Sequence, residues 1–283
     1  MNNFLEFYQH IPEKLSPILL DLGFIQIRYY GLMYIVAFLI TLYLVKKQIK
    51  DKKLDYIKIE DIDDIFFISF LFAIIGGRFG YVLFYNLGYY IQHPIEIISP
   101  FSIYNGHIKF HGIAGMSYHG GLLGVILGLY YSARKKKINF WKITDLIAPS
   151  FPLGYTFGRI ANFINNELYG RVTTSPIGMY FKTDPTHSLR HPSQLYEAFF
   201  EGIVLFVILW KLKDKKLPVG FLSGAYVFGY GLFRFFIEFF REPDPQVGFI
   251  LKYFTMGQIL CSVMMISGII IMYLSKKQFF NKT

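Results

Sequence analysis

The stretch GRIANFINNELYGR at 158–171 brings charged and amide side chains together directly after a largely apolar run. A guanidinium group binds phosphate through two parallel hydrogen bonds, and amide groups can bind ester or glycerol oxygens. On a helix Arg159 and Asn162 lie on one side, with Asn166 one turn further and Glu167 beside it. Glu167 could accept a hydroxyl or orient the arginine. The spacing therefore predicts a site for an anionic ligand, although a hydrogen-bond network between helices without a ligand would use the same residue types.

A second polar set lies within GYGLFRFFIEFFREPD at 229–244. Tyr230, Arg234, Glu238 and Arg241 are spaced by four, four and three residues, so on a helix they share one face. Two interpretations are open. Arg234 and Glu238 form an ion pair that neutralises itself, or the pair holds an arginine oriented toward a phosphate.

A histidine followed by two glycines forms a third polar feature, within SYHGGLLG at 117–124. His119 and Gly120 lie in an otherwise uncharged helix, where glycine allows another backbone or a lipid chain to come close. Imidazole exchanges a proton near neutral pH, so His119 could activate a thiol or a hydroxyl, or it could be a hydrogen-bonded packing group. In YYGLMY, Tyr30 stands at the outer end of an apolar helix, where it could bind the ligand or belong to an aromatic belt.

The composition is that of a polytopic membrane protein, since 53% of the 283 residues are apolar and only 17% are charged. Seven apolar segments can reach, with their flanks, the roughly 20 residues that a spanning helix needs. They cover 29–45, 65–86, 112–133, 146–158, 198–210, 217–240 and 253–275.

The lysines predict the orientation of these segments. They cluster in short runs after alternate segments, as cytoplasmic loops do, at 46–53, 134–137, 211–216 and 276–277. The net charge is +10, but the basic residues are separated by uncharged spans, which argues against a nucleic-acid partner. We predict an all-α protein of seven transmembrane helices with its N-terminus outside and its C-terminus in the cytoplasm. It would form one transmembrane domain over 1–283 with outer-face loops at about 87–111 and 168–191.

The arginines follow a different pattern from the lysines. Of the eight, only Arg134 falls in a lysine run, and the other seven fall in the outer halves of helices or in outer loops. A charge inside the bilayer costs at least a few kcal/mol unless it is paired or hydrated, so arginines at one depth predict a shared anionic ligand, most simply a phospholipid headgroup. Snorkelling to the outer surface is the alternative, and it suits four of them better than the other three. The four are Arg28, Arg171, Arg190 and Arg241, and the three are Arg78, Arg159 and Arg234.

The sequence contains no motif for a metal or a nucleotide. HIKFH at 107–111 and HSLRH at 187–191 each space two histidines four residues apart, but no HExxH is present. The single cysteine, Cys261, lies in an apolar setting and excludes an internal disulfide and a cysteine-based metal cluster. No metal and no cofactor is predicted.

Six stretches, in this order along the chain, resemble the signature sequences of the bacterial prolipoprotein diacylglyceryl transferases. They are YYGLMY, GGRFGYVLFYN, SYHGGLLG, GRIANFINNELYGR, RHPSQLYE and GYGLFRFFIEFFREPD, and the final MGQIL also fits. The resemblance implies an enzyme that moves the diacylglyceryl group of phosphatidylglycerol to the thiol of the lipobox cysteine in a secreted preprolipoprotein. The products would be a thioether-linked precursor and glycerol-1-phosphate. The resemblance also implies a multi-pass protein of the bacterial cytoplasmic (inner) membrane, in contact with membrane lipid.

The resemblance implies roles for individual residues as well. Phospholipid binding would fall to Tyr30, Gly120, Arg159, Asn162, Tyr230, Arg234 and Arg241, and catalysis to His119, Arg159, Glu167, Arg234 and Glu238. The arginines would stabilise charge on the departing phosphate, and the histidine would take the proton of the thiol, with either glutamate as the alternative base. A transporter or flippase for an anionic lipid could use the same arginines, but it should show an internal repeat and gates at both faces.

Overall fold

Helices form most of the protein in the computed structural model, which describes residues 3–23, 26–99, 101–104, 107–110, 115–242, 249–250 and 254–280. By its internal contacts the chain divides into two compact units. One unit consists of Met1–Gln48 with Thr144–Thr283, and the other of Ile49–Ile143.

The helices of the described residues are α1 (Asn3–Gln9), α2 (Ile11–Lys14), α3 (Tyr29–Lys52), α4 (Ile59–Tyr85), α5 (Leu87–Gln92), α6 (Tyr118–Lys135), α7 (Phe140–Ile147), α8 (Phe151–Ile164), α9 (Ser193–Glu197), α10 (Leu205–Leu212), α11 (Phe221–Ile237) and α12 (Met256–Phe280). A 3₁₀ turn covers Pro94–Ile97, and a π-helical segment, Ala198–Val204, joins α9 to α10. Antiparallel hairpins are formed by β1 (Ile18–Asp21) with β2 (Gln26–Arg28), β3 (Phe101–Tyr104) with β4 (His107–Phe110), and β5 (Phe249–Ile250) with β6 (Phe254–Thr255).

Among the residues that the structure describes, three helices are long and apolar enough to cross a membrane, namely α3, α4 and the Met256–Lys277 part of α12. Only 22%, 33% and 17% of their most apolar windows is buried within the protein. A long apolar helix surface that the protein leaves uncovered requires an apolar solvent, and the lipid bilayer provides one. The protein is therefore a mostly helical membrane protein, which confirms that part of the prediction.

In the unit of Ile49–Ile143, helices α4 and α6 pack closely through glycines. A Cβ atom at Gly120 would clash with the carbonyl oxygen of Gly76, and one at Gly124 would clash with that of Phe72. A larger side chain at either glycine would therefore force the helices apart. Helix α6 begins after Ser117, whose Oγ accepts a hydrogen bond from the Gly120 amide at 3.3 Å.

In the other unit, α8 packs just as closely against the π-helical segment. A Cβ atom at Gly202 would clash with Oγ1 of Thr156, so only glycine permits this approach. The N-terminus of α11 is held by the Asp145 carboxylate, which accepts hydrogen bonds from the amides of Gly220 at 2.6 Å and Ser223 at 2.7 Å. These contacts hold α8, the π-helical segment and α11 in place.

The helix bounds differ from several predicted spans. Helix α4 begins at Ile59, before the span predicted at 65–86, because Glu60 and Asp61 in its first turn favour a helix N-terminus. The span predicted at 146–158 contains parts of two helices, α7 and α8, and α8 begins with a proline in its first turn. The outer loop predicted at about 87–111 contains α5, the 3₁₀ turn and a hairpin, and part of it lies outside the described residues.

Candidate active site

Arg159 lies on α8 with three side chains arranged around its guanidinium group. Its Nε lies 2.7 Å from the Tyr155 hydroxyl and 2.8 Å from Oε2 of Glu197. Its Nη1 donates to Oδ1 of Asn162 at 3.2 Å. Tyr155 precedes Arg159 by four residues and Asn162 follows it by three, so the helix places all three side chains together, as predicted for Arg159 and Asn162. The arginine is thereby held in one orientation.

Three arginines of the predicted site converge on the carboxylate of Glu197. Arg159 lies 2.8 Å from Oε2, while Nη1 of Arg234 and Nη1 of Arg241 lie 2.9 and 2.7 Å from Oε1. Glu197 is the last residue of α9 and is fully buried. Three guanidinium groups at this range would repel one another without a negative charge between them, and a buried carboxylate needs partners. The three guanidinium groups and the Glu197 carboxylate therefore stabilise each other.

Two further carboxylates complete the arginine cluster, defined as Arg159, Arg234, Arg241, Glu197, Glu201 and Glu238. Oε2 of Glu238 lies 3.4 Å from Nε of both Arg234 and Arg241. The fully buried Glu201 lies 3.9 Å from Nη1 of Arg234. The ion pair between Arg234 and Glu238 that the sequence left open is thus present, and it belongs to a larger network.

Asn162 connects the arginine cluster to Glu167. Its Nδ2 donates to Oε1 of Glu167 at 2.6 Å, and the fully buried Gln194 donates to the backbone carbonyl of Glu167 at 2.6 Å. The Glu167 carboxylate is therefore held at the end of α8, one amide away from Arg159.

Two tyrosines border this group of residues. Tyr30, at the start of α3, lies within range of electrostatic interaction with Glu167 and Arg159. Its hydroxyl lies 3.1 Å from that of Tyr34. The ring of Tyr230 packs edge-on against that of Tyr155, with centroids 5.7 Å apart. The structure thus brings together Arg159, Asn162, Glu167, Arg234, Glu238, Arg241, Tyr30 and Tyr230 of the predicted site residues.

His119 and Gly120 lie in the unit of Ile49–Ile143, at the start of α6. The His119 side chain is exposed, contacts the ring of Tyr118 edge-on at 5.6 Å, and makes no hydrogen bond to any residue that the structure describes. Gly120 is buried against α4, so the close approach predicted for it involves the backbone of a neighbouring helix. Proton transfer by His119 and lipid contact by Gly120 stay predictions.

Comparison of the sequence with known proteins points to one family. A family model described as prolipoprotein diacylglyceryl transferase matches residues 17–274. The chain is 51% identical over 278 residues to the phosphatidylglycerol–prolipoprotein diacylglyceryl transferase of Chlorobaculum tepidum, an alignment that covers 98% of this chain and 96% of the relative. The chain belongs to the prolipoprotein diacylglyceryl transferase family.

Proteins with the same name from two other bacteria extend the comparison. The relative from Desulfotalea psychrophila is 42% identical over 268 residues, covering 93% of each chain. The relative from Geobacter sulfurreducens is 44% identical over 255 residues, covering 90% of this chain and 93% of its own length. The region that matches the family extends from before Tyr30 to beyond Arg241, so it contains the whole arginine cluster. The resemblance inferred from the motifs is confirmed.

Three residues of this group were not predicted from the sequence as site residues, namely Tyr155, Glu197 and Glu201. Glu197 and Glu201 are four residues apart at the start of an apolar run, which was the available signal. Carboxylates that enter an apolar segment need opposite charges, and the arginines of the outer halves needed carboxylates for the same reason. Tyr155 gave a weaker signal, its spacing of four residues from Arg159.

Asn166 has a different environment from Asn162, although both belong to the same motif. Its backbone adopts a φ of +56°, and its Nδ2 donates to the carbonyl of Pro12 at 3.0 Å. Its Oδ1 accepts a hydrogen bond from the amide of Lys182 at 3.0 Å. These contacts join the end of α8 to α2 and to the loop that follows.

Arg78 also binds backbone carbonyls within its own unit. Its Nε donates to the carbonyl of Ile97 at 2.7 Å and its Nη2 to that of Glu96 at 2.6 Å. Its guanidinium carbon lies 4.9 Å from the centre of the Tyr90 ring. Arg78 therefore supports the 3₁₀ turn at Pro94–Ile97.

The predicted outer loop at 168–191 contains an ion pair of its own. Nε and Nη2 of Arg190 donate to the fully buried carboxylate of Asp184 at 2.9 and 3.1 Å. The same carboxylate accepts hydrogen bonds from Thr186 and from the amide of Ser188. Burial alone would raise the pKa of the Asp184 carboxyl, but Arg190 and these donors together lower it to about 2.

The backbone of this loop is joined to the end of α11. Gly170 and Arg241 form an antiparallel bridge, and the amide of Arg171 donates to the carbonyl of Phe240 at 2.9 Å. A Cβ atom at Gly170 would clash with that carbonyl, so the junction requires glycine. Arg241 therefore contributes its backbone to the junction while its side chain reaches Glu197.

His191, of the second histidine pair, contacts a tyrosine and makes no ion pair with the arginine cluster in the part of the chain that the structure describes. Nδ1 of His191 lies 3.0 Å from the hydroxyl of Tyr196, and burial lowers the pKa of His191. His111, of the other pair, lies outside the described residues. Within the described part of the chain, no three His, Cys, Asp or Glu side chains are grouped as a metal site.

Proposed function

We propose that this protein transfers the diacylglyceryl group of phosphatidylglycerol to the thiol of the lipobox cysteine of prolipoproteins. The reaction forms a thioether, releases glycerol-1-phosphate and begins the maturation of bacterial lipoproteins. The observation that carries the proposal is the convergence of Arg159, Arg234 and Arg241 on Glu197, in a chain that belongs to the family. The substrates agree with the names of the relatives.

The chemistry explains why arginines are needed. The thiolate sulfur attacks carbon 3 of the diacylated glycerol, a carbon–sulfur bond forms, and the carbon–oxygen bond to the phosphate breaks. The electron pair of the broken bond moves to the phosphate, so negative charge grows on its oxygens in the transition state. Arg159 and Arg234, each with a mostly buried side chain, would stabilise this charge in a medium of low dielectric constant.

The proton of the thiol needs an acceptor, and we assign it to His119. The exposed imidazole has no hydrogen-bond partner among the described residues, so its nitrogen is available for a proton. Glu167 is the alternative, because Asn162 binds its Oε1 and its second oxygen could accept the proton. Glu238 contacts Arg234 and Arg241, which suits a residue that orients arginines. Tyr30, Asn162 and Tyr230 would contact the lipid.

The lipid substrate and the lysine pattern support the placement in the membrane. We infer one domain of seven transmembrane helices in the bacterial cytoplasmic membrane, with the N-terminus outside and the C-terminus in the cytoplasm. Helix α7 with α8 would make the fourth span, and α9 with the π-helical segment and α10 would make the fifth. The outer loops, at about 87–111 and 168–191, would face the incoming peptide.

A transporter or flippase for anionic lipids is the alternative that uses the same arginines. It would move the lipid without breaking a bond. The relatives of this chain are named as transferases, and that favours bond making.

The first test is direct transfer by the purified protein. The protein in detergent is incubated with phosphatidylglycerol and a lipobox peptide, and the peptide is analysed by mass for thioether-linked diacylglycerol. We expect Arg159→Ala to lower the initial rate about 100- to 1,000-fold, the usual loss when one donor to a developing anion is removed. The matched control is Arg134→Ala, which removes an exposed arginine in the last turn of α6 and should leave the rate unchanged.

Two outcomes would contradict the proposal. Full transfer by Arg159→Ala would remove the arginine from the mechanism. Movement of lipid between leaflets with no lipidated peptide, under conditions where the peptide is bound, would favour the transporter. For the base, His119→Gln should lose activity across neutral pH, and retained activity would exclude His119 and leave Glu167 or Glu238 as the base.

A further inference from the structure

Tyr155 and Glu201 form a hydrogen-bonded pair beside Arg159. The Tyr155 hydroxyl lies 2.5 Å from Oε2 of Glu201 and 2.7 Å from Nε of Arg159. Tyr155 lies one turn before Arg159 on α8, and Glu201 lies in the π-helical segment four residues after Glu197. The four side chains thus make two adjacent contacts, Tyr155 of α8 with Glu201 of the π-helical segment and Arg159 of α8 with Glu197 at the end of α9.

The Tyr155 hydroxyl is the hydrogen-bond donor to the Glu201 carboxylate among the described residues. Glu201 is fully buried, and the nearest guanidinium nitrogen, Nη1 of Arg234, is 3.9 Å away, beyond hydrogen-bond distance. Its Oε1 makes no hydrogen bond to any residue in the described ranges. Because a buried carboxylate is stable only with donors around it, the phenol is the group that keeps Glu201 in place. Single π-helical turns are frequent at functional sites, and this one carries the carboxylate.

The hydrogen bond between Tyr155 and Glu201 determines that the Tyr155 hydroxyl is the acceptor in its contact with Arg159. A phenol has one proton to donate, and a carboxylate only accepts, so the proton of Tyr155 points to Glu201. The lone pairs of the phenol oxygen then face the N–H of Arg159. The Tyr155 ring also lies 4.8 Å from the guanidinium carbon, and the edge-on Tyr230 ring supports it from another side. With Nε so engaged, Nη2 of Arg159 makes no hydrogen bond to a described residue.

We propose that Tyr155 and Glu201 are positioning residues that set the direction of the Arg159 guanidinium group. The inference rests on the function proposed above, in which Arg159 meets the departing phosphate. Tyr155 acts through the arginine and does not touch the reacting atoms. Loss of the Tyr155 hydroxyl leaves the positive charge of Arg159 in place but allows its guanidinium group to rotate. The transition state therefore loses more stabilisation than the bound lipid does. The expected signature is a lower kcat with an unchanged KM.

The test measures kcat and KM for phosphatidylglycerol with the lipobox peptide in four variants of the full-length protein. Tyr155→Phe and Glu201→Ala each lower kcat about 10- to 100-fold and change KM less than about threefold. The conservative variant Glu201→Gln keeps an oxygen that accepts the phenol proton, although it removes the charge that faces Arg234, and its kcat therefore falls less than that of Glu201→Ala. The double variant Tyr155→Phe with Glu201→Ala is no slower than the slower single variant, because both residues act through one arginine.

Several results would overturn the proposal. They are wild-type kcat in Tyr155→Phe, equal kcat in Glu201→Ala and Glu201→Gln, or a double variant whose loss is the product of the single losses. The unfolding transition of each variant is recorded in detergent, and if Tyr155→Phe does not fold, the comparison of the two Glu201 variants decides. Failure of the proposed function looks different, because the wild-type protein itself would then produce no lipidated peptide.

Discussion

Two regions of this protein bury an arginine against a carboxylate, and they do so in opposite ways. In the loop at 168–191, Asp184 receives two hydrogen bonds from Arg190 and further ones from Thr186 and Ser188. In the arginine cluster, Nη1 of Arg234, Nε of Arg241 and Oε2 of Glu238 lie at ion-pair distances but lack a well-formed hydrogen bond to any described residue.

We interpret the difference as that between a structural ion pair and the proposed phosphate-binding site. Buried polar groups are normally hydrogen-bonded, and a buried ion pair is stable only when its remaining donors and acceptors are satisfied. The pair of Asp184 and Arg190 meets that condition and holds the loop. The arginine cluster balances its charges and leaves donors incompletely used, which is the state in which guanidinium groups can exchange a carboxylate for a phosphate. The loop and the cluster meet at Arg241, whose backbone belongs to one and whose side chain belongs to the other.

The largest effect should come from removing the charge at the centre of the cluster. In Glu197→Gln, three guanidinium groups lose the carboxylate on which they converge. We expect the free energy of unfolding to fall by about 3–5 kcal/mol, the usual result of removing one partner from a buried charge network. Transfer activity should fall with it, because the arginines move apart. Chemical denaturation in detergent, combined with the lipidation assay, measures both.

The control for this variant removes a carboxylate that contacts Arg190 of the loop. Glu242→Gln removes a carboxylate that contacts Nη1 of Arg190 at 3.0 Å but is 53% exposed. An exposed ion pair contributes about 0–1 kcal/mol, so this variant should unfold like the wild type. If Glu197→Gln were as stable as Glu242→Gln, Glu197 would not be the centre of the cluster, and the contrast between the two regions would disappear.

Much of the helical framework could be predicted from the sequence. Helix α3 begins at Tyr29, where the first predicted span begins, and the predicted spans at 217–240 and 253–275 contain α11 and most of α12. Apolar composition did not indicate where helices continue into water. Helix α4 extends back to Ile59 because acidic residues stabilise its first turn. A transmembrane helix can extend beyond the bilayer into water, so the thickness of the membrane does not determine where it begins.

The sequence indicated the three arginines of the cluster and one of its carboxylates, Glu238, but not Glu197 or Glu201. Arginines stand out in an apolar chain, and helical spacing was enough to group Arg234 with Glu238 and Arg159 with Asn162. Glu197 is far from both groups in the sequence, so its place between them depends on the packing of α8, α9 and α11. Local spacing cannot predict such a contact. The pairing requirement for buried charges could have indicated that carboxylates were missing, although it could not have identified them.

A change of intermediate size should affect the loop pair and depend on pH. The pKa of Asp184, about 2 in the folded protein, is lower than the value of about 4 for an unperturbed carboxyl. Its ionised form therefore stabilises the fold fully above about pH 4, and this contribution of about 2 kcal/mol is lost as the pH falls toward 2. Asp184→Asn should be less stable than the wild type at neutral pH, and the difference should shrink on acidification.

Denaturation midpoints measured between neutral pH and the acid limit of the detergent test this expectation. Asp21→Asn serves as the control, since Asp21 is an exposed carboxylate in the hairpin of β1 and β2. Only the difference between each variant and the wild type is compared, because other carboxyl groups titrate in the same range. A gap between Asp184→Asn and the wild type that stayed constant down to low pH would show that the charge of Asp184 does not stabilise the loop.

The smallest effect should come from the packing that brings α8 to the cluster. Gly202→Ala places a methyl group against Thr156, and we expect a loss of about 1–2 kcal/mol as the two segments separate slightly. Gly158→Ala is the matched control in α8, because a Cβ atom there meets nothing within 4 Å, and it should be neutral or slightly stabilising. Hydrogen exchange should locate the change in Gly202→Ala at the amides of 198–204 and leave those of 180–190 protected. Equal loss of protection in both regions would mean that the loop pair and the arginine cluster unfold together, so that they are not independent regions of the molecule.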